Sequence, residues 1–295
     1  MNKKNIAIFT YLCNDLFLDG ALALIRSLKT NSPLITQISE INCLCLEDVS
    51  QKSRQLLIKE GYQIEAISKN EYLVPNHSNF LGRYKNRAWM MFSKLKIFSF
   101  LNYEFILYLD SDVIVRGELN NIFNDGYKLA AVEDNISPNK KNNGLSAGVL
   151  AFCPEENIWD LIQENINNQF DQKNTDQSLL NALFPNFYRL PRKYNTLDKL
   201  QRFIKISKRK ESFDQSLIYH FNGPKPWIPF YKNYGWKLIP NSGFFEFWIY
   251  LLSVNNSRKY KNIIVLILNI SIAPLIGLFN ILRLKLNKLK KEISN

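Results

Sequence analysis

Along most of the chain, short apolar runs alternate with stretches whose apolar residues recur every three or four positions. "NIAIFT" (5–10) is an uncharged run closing on polar residues, and it predicts a buried first strand. In "DGALALIRSLKTN" (19–31), Ala21, Leu24, Ile25 and Leu28 keep helical spacing, and Asn31 and Pro33 close the helix. "EINCLCLE" (40–47) reads as a strand, "SQKSRQLLIKEG" (50–61) as a helix with a serine cap and a glycine stop, and "YQIEAI" (62–67) as a strand. This β-α-β-α-β order is that of an α/β protein with a mostly parallel, Rossmann-like sheet flanked by helices.

"RAWMMFSKLKIFSFL" (87–101) has helical periodicity and leads into "EFILYLDSD" (104–112), a strand that ends in two carboxylates. They fall at the carboxyl end of a central strand, where open α/β sheets bind ligands. "KLAAVE" (128–133) and "LSAGVLAF" (145–152) read as strands around the polar loop 134–144. Residues 154–168 and "TDQSLLNALF" (175–184) read as helices. Past residue 190, aromatic and proline residues predict irregular structure that packs back over the sheet. A compositional break near residues 241–262 divides the chain into a domain at 1–241 and an apolar, basic helical extension at 242–295.

Composition narrows the options. The 295 residues, 46% of them hydrophobic, can bury a large core, and no repeat suggests a solenoid or propeller. Cys13, Cys43, Cys45 and Cys153 form no C-x-x-C pair and sit in apolar surroundings, which predicts reduced core thiols of a cytoplasmic protein rather than a zinc site. The amino terminus lacks the apolar core and cleavage site expected of a signal peptide. Of the net charge of +12, residues from Arg258 onward hold +7, from eight Lys/Arg against Glu292. A second cluster runs through Lys199, Arg202, Lys205, Lys208, Arg209 and Lys210, and a solvated helix face explains it equally well. Neither cluster carries a nucleic-acid-binding signature, so anionic lipid or a phosphorylated substrate fits the charge better.

The unusual chemistry is in "FILYLDSDVIVRG" (105–117), where Asp110 and Asp112 interrupt an apolar sequence. Burying an unpaired carboxylate costs several kcal/mol, so a partner is required. Where the chain turns at the strand end the two can converge, and a divalent cation such as Mn²⁺ or Mg²⁺ would relieve their repulsion. A solvated turn is the bland alternative. His77 lies in a polar loop and reads as a surface residue, whereas His220 follows the apolar run "SLIY" and would complete a site of mixed oxygen and nitrogen ligands. Beside it, Gly223 permits close backbone approach and Lys225 offers a point charge for phosphate.

With these motifs in place, the sequence resembles glycosyltransferase family 8 over roughly residues 5–240. "YLDSD", with Ser111 between its carboxylates, resembles the family's Asp-x-Asp metal motif, and "HFNGPKPW" its His-x-x-Gly-x-x-Lys-Pro-Trp signature. "TDQSLLNALF", "SKLKIFSFL" and the first strand, loop and helix are similar to further family segments. The resemblance implies a GT-A fold and a retaining hexosyltransferase that uses a UDP-sugar, with Mn²⁺ (or Mg²⁺) held by Asp110, Asp112 and His220. It places Thr10, Tyr11, Asn14 and Asp15 around uracil and ribose, and Lys94 and Lys225 on donor oxygens. Asp176 would hold sugar hydroxyls, and Gln177 would face the reactive carbon. The "LSAGV" strand (Ser146, Ala147, Gly148) departs from the family's usual Phe-Asn-Ala-Gly-Val by having Ser146 in place of asparagine. The implied acceptor is a saccharide or glycolipid of the lipopolysaccharide or surface-glycan type.

"IIVLILNISIAPLIGLFNIL" (263–282) is uncharged and about 30 Å long as a helix. Asn269, Ser271, Pro274, Gly277 and Asn280 weaken a transmembrane reading, and a span would put five Lys/Arg on the far side. An anchor lying on the anionic inner face of the membrane keeps both basic flanks on lipid. Two alternatives remain at this level: a haloacid-dehalogenase-like phosphatase built on the Asp-x-Asp strand end, and a non-catalytic membrane-surface binding protein on a glycosyltransferase scaffold.

Overall fold

The structure is a computed structural model that describes residues 5–73, 88–123, 128–134, 144–167, 175–198, 212–229, 242–254 and 259–271. His77, most of the 134–144 loop, the basic cluster from Lys199 to Lys210 and the tail beyond Ser271 lie outside the described residues.

Strand β1 (Ile6–Leu12) leads through helix α1 (Leu18–Asn31) and a short α2 (Pro33–Ile38) to β2 (Ser39–Leu46), α3 (Gln51–Glu60) and β3 (Gln63–Ile67). Ser50 caps α3 by accepting from the Ser53 N–H at 3.3 Å, and Gly61 ends it with φ 105°. α2 has no counterpart in the sequence reading, because Pro33, taken as a stop, instead opens a new helix at its first position. Next come α4 (Ala88–Phe92), β4 (Phe105–Leu109), β5 (Val113–Val115), β6 (Ala130–Glu133) and β7 (Leu145–Phe152). After α5 (Glu156–Asn167) and α6 (Asp176–Leu183) follow the short strands β8 (Tyr188–Arg189), β9 (Thr196–Leu197) and β10 (Ile218–His220). Helices α7 (Ser242–Ser253) and α8 (Lys259–Ser271) complete the described chain.

Seven strands form the main sheet in the order β3-β2-β1-β4-β7-β6-β8, parallel from β3 to β4, with β7 antiparallel to both neighbours. β4 is the central strand. Its alternation is complete: Phe105, Leu107 and Leu109 enter the core against α1, while Ile106 and Tyr108 enter the core on the other face. The following apolar trio does not extend it. β5 belongs to a separate sheet of order β5-β10-β9, so the Asp110–Asp112 turn hands the chain from one sheet to the other. The single helix predicted over 87–101 is α-helical only to Phe92 and winds as a 3-10 helix over Ser93–Ser99. Three residues per turn stack the buried Leu95 and Phe98 on one another.

The core continues past residue 241, where the composition changes. Helix α7 lies against α1 and buries Phe244, Phe247, Trp248 and Leu251. Helix α8 places Asn262, Val265 and Asn269 inward. Among the described residues, no helix is long and apolar enough to cross a membrane.

Candidate active site

The turn after β4 and the end of β10 meet where the two sheets adjoin. β10 pairs antiparallel with β5, opposing His220 to Val113, so the histidine follows directly from this register. The Phe221 N–H donates to the Asp112 carbonyl at 2.9 Å and closes the junction. His220 Nε2 thereby lies 3.1 Å from Asp112 Oδ1 and 3.9 Å from Asp110 Oδ2. One donor atom from each of the three lies within 4.8 Å of the others, close enough to share one ion. Gly148 makes the space: a β-carbon there would collide with the His220 ring and crowd Asp110 Oδ2. The β6–β7 register shifts between Ala131 and Glu133, beside this glycine, as bulges near functional sites often do.

Two lysines compensate the carboxylates. Lys94 pairs with Asp176, lies 3.7 Å from Asp110 Oδ1, and donates to the Ala147 carbonyl at 3.3 Å. Burial opposes its charge, but Asp110, Asp176 and Asp112 outweigh burial and hold its pKa well above the ordinary lysine value. Lys225 pairs with Asp112 and donates to the Phe221 carbonyl at 2.6 Å. Burial would raise the Asp112 carboxyl; the Lys225 charge and the adjoining His220 ring prevail and hold it well below the usual range. Tyr108 donates to Asp110 Oδ1 at 2.5 Å, and burial keeps that phenol protonated far above its ordinary pKa.

Asp176 and Gln177 open α6, capped by Thr175, which accepts from the Ser178 N–H at 3.2 Å. The Gln177 amide is pinned: Oε1 accepts from the Ala147 N–H at 3.2 Å and Nε2 donates to Asp134 at 2.7 Å. A cavity of about 280 Å³ is lined by Tyr11, Lys94, Asp110, Ser111, Asp112, Asp176 and Lys225, together with Cys13, Phe17 and Met91. Thr10 is buried but not in this lining, and its hydroxyl has no hydrogen-bond partner among the described residues. Asn14 and Asp15 are not in this lining. Asn14 caps the 3-10 turn Asp15–Phe17 by accepting from the Leu16 N–H, and Asp15 accepts from the Ser50 N–H, both at 2.9 Å. Asp15 lines instead a larger cavity of about 870 Å³ between α3 and α8, which contains none of the three ion-ligand candidates. Gly223 lies in the turn joining His220 to Lys225, and Trp227 anchors that turn by donating to the Leu16 carbonyl at 2.8 Å.

Sequence reasoning misses two polar residues here. Asp134 holds Gln177, and Asn195 joins Ser146 to His220 by contacts of 3.0 Å on each side. Asp134 is the first residue of a polar loop, and Asn195 sits in "KYNTL" with no motif around it.

A family model described as glycosyl transferase family 8 matches residues 8–229. Inositol phosphorylceramide glucuronosyltransferase 1 of Arabidopsis thaliana is 28% identical over 185 residues, which cover 63% of this chain and 31% of that protein. Glycosyltransferase GlyB of Streptococcus pneumoniae is 30% identical over 180 residues, covering 56% of this chain and 42% of its own length. This chain thus matches less than half the length of either relative. Among solved structures, galactosyltransferase LgtC in complex with donor and acceptor sugar analogues aligns with a TM-score of 0.60 at 17% identity, covering 87% of this chain and 99% of that one. That likeness is one of fold, the GT-A arrangement of glycosyltransferases.

Proposed function

The chain belongs to glycosyl transferase family 8, and from that premise we propose that it moves a hexose from a UDP-sugar to a saccharide or glycolipid acceptor with retention of anomeric configuration. The observation that carries the reading is the convergence of Asp110, Asp112 and His220 beside Lys94 and Lys225 at the end of the central strand. A phosphatase of the dehalogenase type falls away with the family, and a complete donor set opposes a merely binding role.

These residues fit a divalent ion, since two carboxylates and an imidazole form a mixed donor set that suits Mn²⁺ better than Mg²⁺. Three carboxylates (Asp110, Asp112, Asp176) face two ammonium groups, an excess of one negative charge that a divalent ion would reverse to suit a diphosphate. When bound, the ion would act as a Lewis acid toward the departing UDP.

The other roles fall to the chain itself. Lys225 reaches the same pocket and offers a charge to phosphate oxygens, while Lys94 holds Asp176 toward the sugar hydroxyls. Gln177, fixed by Ala147 and Asp134, has no carboxylate with which to form a covalent intermediate. The acceptor hydroxyl therefore attacks from the face that UDP leaves. Its oxygen bonds to the anomeric carbon as the bond to phosphate breaks, and its proton passes to the departing phosphate.

The same reading places the protein on the inner face of a membrane, held by anionic lipid. Its support is the outward face of α8, where Ile264, Ile267 and Ile270 are exposed, and the basic residues that follow later in the sequence.

The test is a panel of UDP-sugars with Mn²⁺, followed by UDP release. One donor should be turned over and lose that turnover in EDTA. Release undiminished by EDTA, or absent from every UDP-sugar with and without candidate acceptors, would overturn the reading.

A further inference from the structure

Asn195 is 1% exposed and touches the site from two directions. Its Oδ1 lies 3.0 Å from His220 Nδ1, and its Nδ2 donates to Ser146 Oγ at 3.0 Å. It immediately precedes β9, so one side chain ties β7 of the large sheet to β10 of the small one across the candidate ion site.

An imidazole that binds an ion through Nε2 carries its proton on Nδ1, so whatever faces Nδ1 must accept. A carboxamide has an acceptor at one end and a donor at the other. With Oδ1 toward the ring, the amide NH₂ points at Ser146, whose hydroxyl oxygen takes it. The reversed amide would oppose two donors at hydrogen-bond distance. A carboxylate could also accept from Nδ1–H, but it would add a fourth negative charge to a cluster that has three carboxylates and two ammonium groups. A neutral amide orients the ring without that addition.

We infer that Asn195, itself held by the Ser146 hydroxyl, is a positioning residue that keeps His220 protonated on Nδ1 and its Nε2 free for the ion. The inference rests on Asp110, Asp112 and His220 being the ion site. It also gives Ser146 a function as an anchor, at the position where the chain departs from the asparagine its family resemblance implies.

The experiment measures the dissociation constant of Mn²⁺ alone for the full-length protein, from the electron paramagnetic resonance signal of free Mn²⁺, with no sugar present. His220→Ala sets the scale of losing the ligand. Asn195→Leu should weaken Mn²⁺ binding by about 10- to 100-fold, the usual effect of losing a partner that orients a ligand. Asn195→Asp keeps an acceptor for Nδ1–H and should bind Mn²⁺ no more weakly than the parent. Ser146→Ala should weaken it by about two- to tenfold, one neutral hydrogen bond, and add nothing further to Asn195→Leu. Parental affinity in Asn195→Leu, with His220→Ala weakened, would overturn the inference while leaving the ion site standing. Equal damage from Asn195→Asp and His220→Ala would overturn it too, and that comparison decides the matter if Asn195→Leu fails to fold. Unchanged affinity in His220→Ala would overturn the ion assignment itself.

Discussion

The end of β4 and the helix α8 depart from the usual partition of side chains in opposite directions. At β4, polar and charged groups are taken inside: Lys94, Asp112, Asp176 and His220 are all buried. On α8 the inward stripe carries Asn262 and Asn269 beside Val265, while Ile264, Ile267 and Ile270 face outward. The first departure is compensated within the fold to within one negative charge, since the carboxylates meet Lys94, Lys225 or the imidazole. The second is balanced in part. Asn269 donates to the carbonyls of Pro226 at 2.9 Å and Ile228 at 3.2 Å, so α8 supports the turn that carries Lys225. Its isoleucines gain nothing comparable by facing water. An internally balanced departure persists without ligand and prepares a site; an exposed apolar stripe calls for a surface to cover it.

The largest effect should come from removing charge at β4. Asp110→Asn and Asp112→Asn keep side-chain shape and should lower Mn²⁺-dependent UDP release by about 10²-fold or more, the scale for losing a group that stabilises developing charge. Circular dichroism should be unchanged, because Lys225 keeps its bond to the Phe221 carbonyl. Near-parental release would break the contrast, since the buried carboxylates would then have no catalytic use.

The compensation itself gives the second prediction, read on stability rather than on turnover. Lys94→Met should destabilise the fold by about 3–5 kcal/mol, because it leaves Asp176 buried without its cation and Asp110 without a nearby one. Urea unfolding measures this. Adding Asp176→Asn should restore part of the loss, as one of the stranded charges goes with it. A neutral Lys94→Met would mean that solvent, not the lysine, balances these carboxylates.

The parts of this arrangement differ in how legible they are in the sequence. Strands β1, β2 and β4 read directly, because each buries apolar residues on both faces, and the edge strand β3 reads from the helix-period segment before it, though only Ile67 is buried. The cap at Ser50 reads for the same local reason, since it needs only the N–H three residues on. The departure of Val113–Val115 into a second sheet does not, because an apolar trio after two carboxylates has the same pattern whether it continues the strand or leaves it. Helix α7 shows its Phe244, Phe247, Trp248, Leu251 stripe at helical spacing, yet periodicity gives a face without saying whether α1 or lipid covers it. Among the site residues, Asp110, Asp112, His220 and Lys225 announce themselves as charge or imidazole next to apolar runs. Asn195 is neutral and acts through two contacts distant in sequence, so nothing local marks it.

The outward face of α8 gives the third prediction. Replacing Ile264 and Ile267 by serine should weaken binding to vesicles containing phosphatidylserine, by about 1–2 kcal/mol for each partly buried side chain, measured by co-sedimentation. UDP release in solution should stay near parental, because Asn269 and its bonds to the Lys225 turn are untouched. Undiminished vesicle binding would show that this face does not meet lipid and would return the stripe to another occupant.

The smallest effect sharpens the comparison between buried and exposed charge on a single segment. Lys96 stands two residues from Lys94 and pairs with Glu71, whose side chain is 42% exposed. Hydrogen bonds from Lys96 and Ser68 draw the Glu71 carboxyl down from 4.5 to about 2. A carboxyl with a lowered folded-state pKa contributes its full stability above its unfolded pKa and loses that contribution as pH falls through the folded one. The pair should therefore act fully above pH 4.5 and fade toward pH 2. Solvent screening at this exposure limits the contribution to about 1 kcal/mol or less. Urea unfolding of Glu71→Gln should differ from the parent by no more than that at neutral pH, and the difference should shrink by about pH 3 and in high salt. Lys94→Met should show a loss several times larger and insensitive to salt. Losses of equal size at the two lysines would mean that burial is not what separates the site from its surroundings.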